Sequence, residues 1–190
     1  MEAKHFERDY RERFTTGGIL VRDFGDQGAA GQESSTRHLK IRTFASNTAV
    51  YPGSRLTLTV ELELRPGMHV YAPGVSGEYI PVSWKMAESK AWINFDPEWP
   101  RSRNKRLKAI RQTVPVFENK FRVMRDLKMA QARDLYPAAA ENKLSIKGDF
   151  RYQACDARVC YPPETVPLEW ILEARPQDRE RAPADLRKVK

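Results

Sequence analysis

The fold the sequence predicts is an antiparallel β-sandwich, and three observations predict it. Apolar and polar residues alternate with a period of two through the middle of the chain. Turn-forming Gly, Pro, Asn and Asp clusters cut the alternation into short runs. The 13 prolines point away from long helices, and the alternation argues against a coiled coil or a doubly wound parallel sheet. The 190 residues suffice for one domain of ordinary size with tails. Hydrophobic residues make up 41% and charged residues 31%, a mix that suggests a folded centre between very polar ends.

The first 22 residues carry the charged segment Glu7-Arg8-Asp9-Tyr10-Arg11-Glu12-Arg13 and the short apolar run Ile19-Leu20-Val21, too little apolar surface to fold alone. From Asp23 to Thr36 the composition turns to Gly, Ala, Gln and Ser, which reads as a flexible linker. Residues 1–36 are therefore expected to be a disordered or loosely attached segment, or the trailing end of a preceding domain. From Arg37 strands follow. Leu39 and Ile41 alternate with charged residues, and Tyr51-Pro52-Gly53-Ser54 is a turn. Leu56, Leu58, Val60, Leu62 and Leu64 then alternate with Arg55, Thr57, Thr59, Glu61 and Glu63, the pattern of a half-buried antiparallel strand.

Arg65-Pro66-Gly67 ends that strand, and Met68-His69-Val70-Tyr71, Tyr79–Trp84 and Ala91–Phe95 supply further short ones. Asp96-Pro97-Glu98-Trp99-Pro100 leaves the sheet as an aromatic-bearing loop. Val114–Phe117 and Phe121–Met129 return to it, and Ala130–Asn142 holds one short helix. Leu144, Ile146, Phe150 and Tyr152 alternate again and deliver the chain to Cys155, and Val166, Leu168, Trp170 and Leu172 form the last strand. Ala174–Lys190 is a charged tail expected to fray. Seven to nine short strands over residues 37–173 make the immunoglobulin-like sandwich the favoured class.

A net charge of +8 raises nucleic acid or an anionic surface as a partner. The densest run is Arg101–Arg111, but no helix-turn-helix, zinc or aromatic ribonucleoprotein pattern accompanies it, so a solvated edge strand is the better reading. No stretch approaches the roughly 18 uninterrupted apolar residues of a membrane helix. The first residues lack the apolar segment of a secretion signal. That leaves a cytosolic protein or an internal piece of a longer exported chain, and the cysteines favour the second.

Cys155 and Cys160 are the only cysteines, with four residues between them. As a permanent staple, a loop of about six residues would contribute only roughly 2 kcal/mol, and it joins no distant strands. Such a pair suits reversible thiol–disulfide exchange better, with one sulfur reachable and the other resolving the mixed disulfide. A reactive pair also wants shielding, for which an aromatic lid would serve. Two cysteines with His5, His38 and His69 do not make up a zinc set, and no metal or cofactor is expected.

Tyr152-Gln153-Ala154-Cys155, Val159-Cys160-Tyr161-Pro162-Pro163-Glu164-Thr165 and Val166-Pro167-Leu168 resemble the signature of the N-terminal periplasmic domain of the thiol:disulfide interchange protein DsbD. Pro66-Gly67-Met68-His69-Val70-Tyr71-Ala72 and Val114-Pro115-Val116 add to the resemblance, which spans residues 37–173. It implies an immunoglobulin-like domain that passes electrons by thiol–disulfide exchange, with thioredoxin-like domains as partners, in the periplasm or otherwise exported. It gives the mixed-disulfide role to Cys160 and the resolving role to Cys155. Tyr71 matches a family tyrosine near the pair, and His69 stands where the best-known members carry another tyrosine. Trp99, by its place between Phe95 and Val114, matches the aromatic of the cap loop.

The chain also departs from the family. The cysteines are one residue closer than in the best-known members, and no membrane or thioredoxin domain follows Trp170 in this sequence. Phe6–Arg13 has no place in the domain and resembles the end of a redoxin module, as in exported proteins that fuse a peroxiredoxin-like domain to such a sandwich. Plainer roles stand beside the functional ones: Tyr71 and Tyr152 as sheet-face aromatics, His69 as a strand residue, Trp99 as loop packing. Trp84, Trp92 and Trp170 are assigned to the core. The alternative to an electron relay is a non-catalytic β-sandwich interaction module with an inert local disulfide.

Overall fold

The structure is a computed structural model and describes residues 29–107 and 112–176. Expectations for residues 1–28, for the end of the basic run at 108–111 and for the tail from 177 lie outside the described residues. Among the described residues the regular secondary structure is almost all strand, as the alternation predicts, and forms an all-β sandwich.

The first sheet runs β1 (Ala29–Ser35), β2 (Leu39–Ala45), β4 (Arg55–Leu64), β10 (Lys120–Met129) and β7 (Trp92–Asn94), in that spatial order and antiparallel. The second is built on β12 (Lys143–Tyr152), paired along its whole length with β14 (Glu164–Ala174). The other edge of β12 takes β11 (Ala139–Ala140) at its start and β6 (Ser83–Met86) towards its end. β3 (Ala49–Val50) adds to β14 in parallel. At Gly148 a Cβ would come within 2.6 Å of the Lys85 carbonyl oxygen, so a side chain there would push β6 off.

The inner faces of both sheets share one core. Leu58, Val60 and Leu62 of β4, Phe150 and Tyr152 of β12 and Trp170 of β14 are buried in it. Trp84 stacks on Trp170 with ring centroids 5.7 Å apart, and Trp92 is buried too, which bears out the assignment of these three to the core. Polar links fasten the layers. Arg125 Nη2 donates to the Trp84 carbonyl at 2.7 Å, and Trp170 Nε1 donates to the Phe44 carbonyl at 2.9 Å. A third, smaller sheet carries the cysteines: β13 (Ala154–Cys155), β5 (His69–Tyr71), β9 (Gln112–Glu118) and the edge strand β8 (Arg103–Leu107).

Three elements differ from expectation. Ala29–Ser35, read as linker, is β1. Its glycine serves close approach: a Cβ on Gly31 would collide with the Thr43 hydroxyl, which instead accepts from Gln32 N at 2.7 Å beside a break in the β1–β2 register. The short helix expected within Ala130–Asn142 is present as α1 (Ala132–Leu135), followed by a 3₁₀ turn at Tyr136–Ala138, but it stops short of Ala139 and Ala140. The next two alanines join β12 through a tight turn in which Glu141 and Asn142 both have positive φ, so pairing overrides helix propensity. β4 has its expected apolar face, yet Thr57, Thr59 and Glu61 on the other face are buried as well. Arg42, Lys120 and Arg122 from both neighbouring strands close over the Glu61 carboxylate. Burial pushes that carboxyl up, but Lys120 and Arg122 outweigh it and hold it below the usual range.

Candidate functional site

β12 ends at Tyr152, whose hydroxyl lies 2.7 Å from Thr36 Oγ1 and donates to Glu164 Oε2 at 2.9 Å. Past Gln153 the chain leaves the second sheet and becomes β13, where Ala154 pairs with Val70 and Cys155 with His69. It then folds back at once. Cys155 and Cys160 face each other as an antiparallel bridge, with Asp156 N donating to the Val159 carbonyl and Tyr161 N to the Ala154 carbonyl, both at 2.9 Å. The two sulfurs are joined as a disulfide.

Asp156 holds this four-residue turn. Its Oδ1 accepts from the backbone N–H of Arg158 at 2.7 Å and of Val159 at 2.8 Å, and its Oδ2 accepts from the Tyr161 hydroxyl at 3.0 Å. These donors hold the Asp156 carboxyl below its ordinary value, the Arg158 amide contributing most, and the carboxylate in turn pushes the Tyr161 phenol up. The β1–β2 turn grips the hairpin from outside. The His38 ring lies against Tyr161 at 4.4 Å, Arg37 stands over the same ring at 5.7 Å, and His38 Nε2 is 3.4 Å from Glu164 Oε1.

The two cysteines are not equivalent. Cys155 is 1% exposed, packed with Tyr71, Val114 and Val116, whereas Cys160 is exposed, next to an exposed Val159. The Tyr71 hydroxyl touches both, 3.4 Å from Cys160 Sγ and 3.6 Å from Cys155 Sγ. Burial raises the Tyr71 pKa, and the neighbouring Tyr79 adds to the rise. Tyr71 is therefore a neutral hydrogen-bond donor at the pair.

His69 is buried, edge-on to Tyr71 at 5.8 Å between ring centres. Burial first, and then the Lys105 charge, lower its pKa to about 4. Tyr71 and His69 are thus gathered with the cysteines. Trp99 stands elsewhere: it packs against the main core, between Phe117 and Phe150, each at 6.3 Å. A second ring packs against Tyr71, that of Tyr79 at 4.6 Å, with its hydroxyl donating to Gln112 Oε1 at 2.6 Å and Val75 nearby in the same cluster. The sequence reading brought none of Tyr79, Arg37 and His38 to the site, and gave Asp156 no part in holding the turn. Asp156 alone left a signal, an Asp opening a short turn; the others meet the site through contacts distant in the chain.

A β-sandwich with a short disulfide hairpin on its third sheet, one cysteine buried and one exposed, is a domain shaped around a cysteine pair. The family model for the N-terminal part of the thiol:disulfide interchange protein DsbD matches residues 39–169, and the chain belongs to that family. Among solved structures it is similar in fold to the N-terminal periplasmic domain of ScsB from Proteus mirabilis, with a TM-score of 0.51 and 13% sequence identity. That match covers 75% of this chain and 51% of the other, so the chain spans about half of that structure's length. Comparison with curated protein sequences gives no match.

Proposed function

We propose that this domain relays electrons to or from a partner protein, acting as a protein-disulfide reductase module in the periplasm or another exported compartment. The observation that carries the reading is the asymmetry of the pair: Cys160 is exposed and Cys155 is 1% exposed. On this reading a thiolate at Cys160 attacks a partner disulfide, and the buried Cys155 resolves the mixed disulfide. Thioredoxin-like domains are the partners proposed, from family membership. The periplasmic assignment rests on the same membership and on the compartment named for the ScsB domain. No helix among the described residues is long and apolar enough to cross a membrane.

Equilibration with thiol redox buffers, followed by counting free thiols, tests the reading. The expected potential lies above about −300 mV, in the range of exchanging pairs. A lower value would identify an inert staple and favour the interaction module.

Shielding is open to a direct test. If Trp99 is the lid, Trp99→Ala speeds alkylation of the reduced thiols, and an unchanged rate removes it from that role. The ring contact with Tyr71 favours Tyr79. Tyr79→Ala is expected to speed alkylation more than Trp99→Ala does, and the reverse order would return the lid to Trp99.

A further inference from the structure

Both imidazole nitrogens of His69 are buried without a hydrogen-bond partner. Such a group is costly unless another state of the protein satisfies it. Its placement shows which state that is. His69 is the direct cross-strand partner of Cys155 in the β13–β5 ladder, and directly opposed residues carry their Cβ atoms on one face about 5 Å apart. In the disulfide form the Cys155 sulfur has no proton to offer. Reduction creates a buried thiol beside an unpartnered buried base.

We propose that His69 is the proton acceptor for Cys155, taking the thiol proton when Cys155 closes on the mixed disulfide. The proposal rests on the exchange reading above. Cys160 thiolate attacks a disulfide sulfur of the partner; the Cys160–partner bond forms, the partner's own S–S bond breaks, and one partner thiolate leaves. Cys155 then gives its proton to the His69 imidazole, and its thiolate attacks Cys160 Sγ. The Cys155–Cys160 bond forms, the mixed disulfide breaks, and the second partner sulfur leaves as a thiolate. The imidazolium returns its proton to that thiolate or to water. Two electrons pass from the domain to the partner, and both cysteine protons leave the domain.

The other groups around the pair are poor acceptors. The Tyr71 phenol touches Cys155 but is held neutral. The Asp156 carboxylate accepts three hydrogen bonds within its own turn. Glu118, opposite His69 on β9, is paired with Lys105 of β8 at 2.5 Å. Lys105 disfavours the imidazolium, while Glu118 and Asp156 favour it, against a larger cost of burial. A Cys155 thiolate would add a negative charge beside the ring and raise its basicity, so the two groups ionise as a pair.

The test uses the reduced full chain and 5,5′-dithiobis(2-nitrobenzoate). The first thionitrobenzoate released reports attack by the exposed cysteine, and the second reports closure by Cys155. In His69→Phe and His69→Gln the second phase is expected to slow by about 100-fold, the lower range for a positioned base. Its pH profile should also lose the His69 inflection, while the first phase stays unchanged. Gln fills the site and forms hydrogen bonds without taking up a proton, so a normal second phase in that variant overturns the proposal. A wild type with no first phase would instead overturn the exchange reading. Should neither variant fold, the His69 imidazole NMR signals of the wild type decide. They are expected to titrate near pH 4 in the disulfide form and to shift on reduction, when a thiol appears beside the ring, and identical titrations overturn the proposal.

Discussion

Replacing Cys155 with Ser is expected to convert a transient mixed disulfide into one that persists on a non-reducing gel. In the native hairpin Cys155 and Cys160 pair directly as an antiparallel bridge. The effective concentration of one thiol at the other should therefore exceed the roughly millimolar level typical of a short flexible tether. External thiols compete poorly with that, so the mixed disulfide normally resolves from within. Cys155→Ser removes the internal nucleophile and leaves decay to external thiol alone. The trapped species should carry its cross-link at Cys160, should form with an oxidised thioredoxin-like domain, and should vanish in Cys160→Ser. Trapping that depends on Cys155 would reverse the roles and set aside the argument from exposure.

What was legible in the sequence follows from where the determining contacts lie. β12 and β14 were legible because each has one face in the core and one towards solvent, and their burial alternates in step with their composition. The cysteine pair was legible because the chain has no other cysteines. β1 was not: Ala, Gly, Gln and Ser say linker, and what makes a strand of them is Thr43 and Arg42 on the neighbouring strand. The buried outer face of β4 was hidden for a similar reason, since the cations that cover Glu61 come from β2 and β10. Alternation places His69 and Tyr71 on one face of β5, but it cannot show that β13 lays a cysteine across from them. The grip of Arg37 and His38 on Tyr161 joins residues more than a hundred positions apart and left no local trace.

Tyr71 is where stability and shielding should fail together. The side chain is 1% exposed and packs with Val114, Val116 and Cys155, while its hydroxyl reaches both sulfurs. Tyr71→Ala removes a fully buried ring, a change that typically costs about 3–5 kcal/mol when the site collapses only in part. That is a large share of the roughly 5–15 kcal/mol by which a domain is stable, so the urea midpoint should fall steeply. The cavity also opens beside Cys155, and in the reduced protein both thiols should then alkylate at similar rates, where the native chain protects one. Tyr71→Phe separates the two functions. It keeps the ring and loses only the hydroxyl contacts with the sulfurs, at a cost of about 0.5–1.5 kcal/mol. It should preserve the protection of Cys155 while shifting the redox equilibrium. If Tyr71→Phe exposes Cys155 as fully as Tyr71→Ala, the hydroxyl and not the ring is the seal. If Tyr71→Ala leaves Cys155 protected, the seal is Val114 and Val116 on β9, and the aromatic face of β5 serves the fold alone.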